Sequence, residues 1–380
     1  MRVLVAGGGI GGLAAALALA RTGWIVTLHE QAPELREVGA GVQLSPNAVK
    51  ALRWLGVEPA LADAACAPER IEVRRWRDDR LLATAPLGRE IAERHGAPYW
   101  HLARADLQAA LLAAAEGAGA QVRLGSPLSP DDGAIAGADL TVAADGVRSA
   151  FRSRFFDATP SRTTGCMAWR GLVDASDLPE TARRLAAVVR VGPGRHFVSY
   201  PVAGGRRVNF VGVVESAGAA SEAWGEPEPT AALAADFKGW PADVQALVAA
   251  CPAPVRWAVL DRPPESRWVR GRVVLLGDAA HPVPPYLAQG AALALEDAVV
   301  LARCLSEGRD MAVALDTYQR SRRPRAARVL GASRRNAFAF HARGPIAWAG
   351  QTGLRVLERA RPGALGRSLD WLYGYDPART

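Results

Sequence analysis

Lysine is almost missing from this chain: it occurs only at Lys50 and Lys238, although the net charge is +8. The positive charge is therefore carried by arginines. They are scattered, with no basic run and no interleaved aromatics, which argues against a nucleic-acid partner. Cysteine is scarce too. Cys66, Cys166, Cys251 and Cys304 lie far apart and share no metal or redox spacing, so they read as reduced, partly buried thiols of a cytoplasmic protein. The six histidines form no ligand cluster, and no metal is expected. No stretch reaches the ~18–20 uninterrupted apolar residues of a membrane span, so stable membrane insertion is not expected either. Met1 to Ala20 imitates a signal peptide, with an apolar run and Ala18-Leu19-Ala20 at its end. The glycines from Gly7 to Gly12 interrupt that run. Repeats and low-complexity linkers are also absent. What remains is an ordinary globular composition, 49% hydrophobic and 22% charged over 380 residues, enough for one large domain or two of usual size.

The first thirty residues are the most informative. Val3 to Ala6 is a short apolar β run. Gly7-Gly8-Gly9-Ile10-Gly11-Gly12 follows, then helix-forming residues from Leu13 to Arg21, a stop at Gly23 and a strand from Trp24 to Leu28. Strand, glycine turn, helix and strand in this order make a dinucleotide-binding unit. Gly7 makes the tight turn, Gly9 admits a pyrophosphate, and Gly12 lets helix pack on strand; Gly11 is a further candidate cofactor contact. Pyrophosphate oxygens then meet N–H groups at a helix N-terminus. Glu30 ends the second strand, where a carboxylate binds ribose hydroxyls and favours a free 2′-OH, as in FAD or NAD. The motif alone does not separate the two. The glycine-bearing stretch from Glu34 to Asn47, with a short helix from Ala48 to Gly56, suits a flavin that extends across the domain.

Two further motifs place the chain. Ala143-Ala144-Asp145-Gly146-Val147-Arg148-Ser149 and Gly277-Asp278-Ala279-Ala280-His281-Pro282 follow the glycine turn in order. Together the three resemble those of the single-component (group A) FAD-dependent aromatic hydroxylases, whose fold p-hydroxybenzoate, salicylate and 3-hydroxybenzoate hydroxylases share. The resemblance spans residues 3 to about 300. It implies that Asp145 and Gly146 lie near the FAD pyrophosphate, and that Asp278 meets the flavin ribitol. It also implies that Arg104, in His101-Leu102-Ala103-Arg104-Ala105-Asp106-Leu107, lies along the FAD, and that Arg36 packs beside it. From the residues alone, Arg104 fits equally well in the solvated first turn of an amphipathic helix from Leu102 to Glu116. His281 is kept for structural reasons in many members of this family.

The segment from Gly277 to Ala298 then makes sense as a clamp. Asp278 follows a buried strand, where ligands of open α/β sheets bind. Pro282, Pro284 and Pro285 stiffen the loop. Gln289, Gly290, Ala291 and Ala292 begin a helix whose N–H groups, by the same resemblance, would face the pyrimidine edge of the flavin ring. A helix N-terminus stabilises a nearby anion by ~0.3–1 kcal/mol, and up to ~2 kcal/mol when partly buried.

After Arg154 the pattern changes to alternating strands: Cys166 to Val173, Ala187 to Val191, His196 to Val202 and Arg207 to Val214. Ala203-Gly204-Gly205-Arg206 makes a hairpin of the last two. His196 and Tyr200 fall on one face of a strand, with Val198 between them. A phenolic substrate must lose its proton to become electron-rich, and a histidine is suited to accept it. His196 is thus the candidate base and Tyr200 the candidate relay or orienting group. His196 to Pro201 resembles the substrate strand of salicylate-like and 6-hydroxynicotinate hydroxylases. Gln43 and Pro285 are candidate substrate contacts. Arg170 would bind an acid's carboxylate in bidentate fashion, unless it is simply a cation at a sheet edge.

The expected fold is α/β (α+β overall). A Rossmann-type FAD-binding domain carries an inserted, mostly antiparallel β-sheet substrate domain and a C-terminal helical segment. Residues 1–155 and 266–305 are assigned to the FAD-binding domain, 156–265 to the substrate domain and 306–380 to the helices. In the last segment, Arg320-Ser321-Arg322-Arg323-Pro324 reads as a solvated helix face. Trp371 to Tyr375 reads as an apolar anchor. The resemblance implies an FAD-dependent monooxygenase that consumes NADH or NADPH and O2. It would hydroxylate an electron-rich phenolic or hydroxy-aromatic acid through a flavin C4a-hydroperoxide. With no second glycine fingerprint, the nicotinamide nucleotide has to visit a surface groove. An FAD-dependent reductase or cyclase of an isoprenoid-like substrate is the alternative on the same fold. A monomer or homodimer is expected.

Overall fold

The computed structural model describes residues 1–35, 41–156, 162–216, 227–263, 265–308 and 310–379. Arg36 lies outside these described residues. The strands of the first half are β1 (Arg2–Ala6), β2 (Ile25–His29), β3 (Gly41–Leu44), β4 (Arg70–Arg75), β5 (Leu81–Pro86), β6 (Trp100–Ala103), β7 (Gln121–Arg123) and β8 (Leu140–Ala143). Those of the second half are β9 (Arg162–Asp174), β10 (Ala186–Gly192), β11 (Arg195–Val202), β12 (Arg207–Glu215), β13 (Val255–Asp261), β14 (Val269–Arg270) and β15 (Val273–Leu275).

The first sheet has the order β14-β15-β8-β1-β2-β7, parallel throughout except at its edge pair β14–β15. Its central strands are apolar on both faces, as a sheet covered on both sides must be. The helix Ile10–Arg21 packs against the helices Arg104–Gly117 and Gly290–Ser306. Because β15, β8, β1 and β2 are parallel neighbours, their carboxyl ends share one edge. All the cofactor motifs leave from that edge.

The second sheet has the order β13-β9-β12-β11-β10-β4-β5 and is antiparallel except between β10 and β4. Alternation sorts its side chains. Trp169, Phe197 and Phe210 pack outward with Phe237 and Trp240. Ala168, Val198, Tyr200 and Val213 point the other way, toward the cofactor-motif edge and the loop that holds Tyr286. Residues 156–265 supply five of the strands. β4 and β5, which the sequence assigned to the first part of the FAD-binding domain, complete this sheet.

Two other expectations are corrected. The helix expected to begin at Leu102 begins at Arg104, because Leu102 is in β6 and pairs with Val42 of β3. The arginine-rich stretch is not a uniformly solvated face. It lies within one helix, Met311–His341, and Arg322 is 0% exposed. Its Nε donates to Asp297 Oδ1 at 2.7 Å and its Nη2 to Glu296 Oε2 at 2.7 Å. Arg325 adds two bonds of 2.6 Å to Glu296. The expected anchor is real: Leu372 and Tyr373 are buried beside Leu293 and Val329.

Replacing Arg322 with Met should cost about 3–5 kcal/mol in urea unfolding, because it strands buried carboxylates without their partner. Asp297 also sets an acid limit. Burial would raise its carboxyl, but His281 and Arg322 outweigh that and hold it down from 3.8 to about 2. A depressed carboxyl stabilises the fold above its unfolded value and loses that contribution as the pH falls through its folded value. Stability should therefore decline as pH drops from 3.8 toward 2, and Asp297→Asn should flatten that decline.

Candidate active site

At the carboxyl edge of the first sheet the backbone comes close to itself. Gly7 has φ +102°, and a Cβ there would lie 2.5 Å from the Ala144 carbonyl oxygen. A Cβ on Gly12 would lie 1.9 Å from the Gly7 oxygen, and one on Gly11 would lie 2.9 Å from Leu276. These contacts join the glycine turn to the segments that follow β8 and β15. By contrast, nothing lies within 4 Å of a Cβ built on Gly9 or Gly290. Both stand at helix starts without a side-chain cap, so their first N–H groups face open space. Ala291 is the next residue in the second of these turns.

Glu30 accepts the Gly8 N–H at 2.6 Å and the Ala32 N–H at 2.8 Å, which holds the end of β2 to the glycine turn. A carboxylate has further lone pairs, which leaves Glu30 able to accept from ribose hydroxyls. Asp145 accepts the N–H groups of Ala150 and Phe151 and thereby shapes its own turn. Gly146 needs its φ of +79°. Asp278 follows β15 and presents an accessible side chain from a recess in the protein. Burial pushes its carboxyl up, against the pull of His281, Arg104 and Arg152. His281 points away from the cleft: its Nε2 lies 2.5 Å from Asp297 Oδ2, which also accepts the Gly277 N–H. Its place is structural.

Two uncapped helix starts, two glycines with open space in front and acids at the ends of β2 and β15 fit a dinucleotide with a pyrophosphate and a polyol chain. Ser45, Asn47 and Gln289 lock the second helix start in place. Gln289 Nε2 donates to Ser45 Oγ at 2.9 Å, and Asn47 Nδ2 donates to Gln289 Oε1 at 3.0 Å. The proline loop is tied down as well: Ser333 donates to the Pro284 carbonyl and Asn336 to that of Tyr286. Pro285 is exposed at its crest.

The inner face of the second sheet stands opposite. His196 and Tyr200 are 1% and 4% exposed, so neither is a surface residue. Burial, and then the neighbouring His341, push His196 well below its ordinary 6.5. Burial pushes Tyr200 up to about 12, against the opposing charges of Arg170 and Arg104. Arg104 is thus close enough to act on both Asp278 and Tyr200, which bridges the cofactor side and the sheet side. Arg170 lies over the Trp257 ring at 4.9 Å. Gln43 accepts the Tyr99 hydroxyl at 2.7 Å and keeps its amide group as a donor.

Sequence reasoning missed several groups. His101 is fully buried with its ring 4.7 Å from that of Tyr200, and burial drives it down to about 3. Tyr286, at the tip of the proline loop, has its ring 5.2 Å from that of His196. His196 Nδ1 lies 2.8 Å from His341 Nε2. Behind Tyr286 is a cavity of ≈ 440 Å³ whose lining includes Cys166, Glu215, Asp261, His341 and Arg343. No local signal marks these residues: His341 and His196 are 145 positions apart.

Comparison with known proteins now decides the family. A family described as an FAD binding domain matches residues 1–135 and 129–333. The chain belongs to this family. FAD is therefore its cofactor. The 3-amino-4-hydroxybenzoate 2-monooxygenase PtnB3 of Streptomyces platensis is 39% identical, over 99% of this chain and 96% of that protein. The 3-hydroxybenzoate 6-hydroxylase of Polaromonas naphthalenivorans is 37% identical, over 98% and 96%. Among solved structures, Klebsiella pneumoniae HpxO complexed with FAD and uric acid is 30% identical. It has a TM-score of 0.80 and covers 95% of this chain and 94% of that one. Among the described residues, no helix is long and apolar enough to cross a membrane.

Asp278→Ala should weaken FAD retention by roughly 10–100-fold, the loss of one or two bonds to a charged acceptor, with folding preserved. Flavin fluorescence during dialysis reads this directly.

Proposed function

We propose that this flavoprotein monooxygenase hydroxylates a hydroxybenzoate-like aromatic acid, using O2 and reduced NADH or NADPH. The carrying observation is that Arg104 acts on both Asp278 and the buried Tyr200, which also feels Arg170 and shares its strand face with His196. Bound FAD supplies the redox chemistry, taking hydride from the nicotinamide and activating O2 for transfer of one oxygen atom. The chain supplies the rest. Gly9, Gly12, Glu30, Asp278 and the N–H groups from Gly290 hold the cofactor, while Asp145 and Gly146 shape the adjoining turn. The rigid proline loop and the sheet enclose the ring and exclude water.

Substrate handling follows from charge. Arg170 pairs with the acid's carboxylate, and Arg104 adds positive potential on the cofactor side. Gln43 offers an amide donor at the rim. His196 takes the phenolic proton, and Tyr200 orients the oxygen that loses it. This polar lining does not suit an isoprenoid. A depressed imidazole is neutral at pH 7, which is the form a base requires. The sign of the pH dependence follows. Activity is present above the pKa of His196 and lost as pH falls through it, so the acid limb should lie below 6.5.

The function is tested by nicotinamide oxidation with a panel of hydroxybenzoates, scoring product and hydrogen peroxide separately. Substrate-stimulated oxidation coupled to a hydroxylated product is expected; stimulation that yields only peroxide refutes the reading. His196→Ala should keep its flavin and lose hydroxylation by about 10²–10⁴-fold. Arg170→Met should raise the Kd of aromatic acids by roughly 10–100-fold, with little effect on neutral phenols.

A further inference from the structure

We propose that His196 is the inner end of a three-residue proton relay, His196–His341–Glu215, which carries the phenolic proton to solvent and fixes the nitrogen that acts as base. The proposal rests on the hydroxylase reading above and assigns roles to two residues outside the FAD and substrate contacts.

The geometry is a chain across three elements. His196 is on β11, His341 ends the helix Met311–His341, and Glu215 ends β12. His196 Nδ1 lies 2.8 Å from His341 Nε2, and His341 Nδ1 lies 3.4 Å from Glu215 Oε1. Exposure grows along the chain. The His196 and His341 residues are 1% and 7% exposed, whereas the Glu215 side chain is 41% exposed. The cavity behind Tyr286 reaches His341 and Glu215. The remaining charged or titratable groups on this cavity are Cys166 of β9, Asp261 of β13, Tyr286 of the proline loop, Arg334 of the long helix and Arg343 beyond it. Arg343 is itself paired with Glu215.

The 3.4 Å ion-pair contact between His341 and Glu215 sets the tautomers. A carboxylate only accepts, so His341 Nδ1 carries the hydrogen that faces Glu215, and its Nε2 is left with a lone pair. The hydrogen between the imidazoles then belongs to His196 Nδ1. His196 Nε2 keeps a lone pair, and among the described residues only Nδ1 is engaged. Glu215 thus selects, through two rings, the basic nitrogen of His196.

The transfer balances. The substrate O–H bond breaks as an N–H bond forms at His196 Nε2. The proton on His196 Nδ1 moves to His341 Nε2, and that on His341 Nδ1 moves to Glu215 and then to water in the cavity. The reverse transfer returns a proton after oxygen insertion and restores both tautomers. A positive charge on His341 faces a carboxylate, whereas on His196 it faces only protein.

The test uses the oxidised holoenzyme mixed with 3-hydroxybenzoate. Phenolate formation is followed by ultraviolet absorbance and proton release by an indicator dye. His341→Ala should slow both, and the hydroxylation step, by at least about 10-fold. Flavin content and the rate of flavin reduction should stay at wild-type values. Added imidazole, entering the cavity, should restore the rate saturably. Glu215→Gln, at an exposed strand end, should slow proton release with the fold intact and should not respond to imidazole. Wild-type proton release in both variants overturns the relay. So does a correctly folded His341→Ala protein that imidazole does not rescue. If the wild-type protein itself forms no phenolate with any hydroxybenzoate, the hydroxylase reading falls and the relay falls with it.

Discussion

Two adjacent acids, Glu296 and Asp297, are held ionised where water does not reach, and the Gly277 turn and the start of the Gly290 helix depend on them. Both are 0% exposed. Isolated charges in such a place cost several kcal/mol each, and the arginines Arg322 and Arg325 offset that cost. From this neutralised centre, ordering spreads in three directions. Asp297 takes the Gly277 N–H and His281, which sets the loop carrying Asp278. Glu296 takes Asn47, which bonds Gln289 at the start of the Gly290 helix. Arg322 reaches the Tyr375 hydroxyl, which ties in the C-terminal tail. Lysine could not replace Arg322, because a single ammonium lacks the planar fork that meets two carboxylates at once.

A second constraint is the shared direction of β15, β8, β1 and β2. Parallel pairing fixes which ends face the ligand, so three segments far apart in sequence arrive at one edge. The antiparallel sheet has no such edge. It contributes a face, and alternation along β9 and β11 decides that Arg170, His196 and Tyr200 look inward while Trp169 and Phe197 fill the outer core.

This explains what the sequence disclosed. Gly7, Gly12 and Gly146 were legible because their backbone forbids a side chain, and that requirement is local. The inward face of β11 was legible because its period is two. Arg322 misled, because an arginine among arginines looks solvated until the acids of another helix come against it. His341 and Glu215 left no trace, since their meeting depends on where a 31-residue helix ends relative to β12. The membership of β4 and β5 in the second sheet was hidden for the same reason: β4 pairs with β10 across more than one hundred intervening residues.

Burial gives the site its strength and also creates its chemical difficulty. On the proposed reading, Arg170 and Arg104 would act on a substrate anion in a largely buried cleft, where the effective dielectric is below that of water. The same burial depresses the His196 imidazole. The two effects can be weighed. A guanidinium about 4 Å from a forming oxyanion is worth roughly 4 kcal/mol at an effective dielectric of about 20. That corresponds to roughly three pKa units at about 1.4 kcal/mol each. If one arginine is occupied by the carboxylate, the other still lowers the phenol toward the reach of a weakened imidazole. On the proposed reading the arginines would do more than hold the substrate: they would bring its acidity into range of His196, leaving the imidazole only to accept the proton and pass it on.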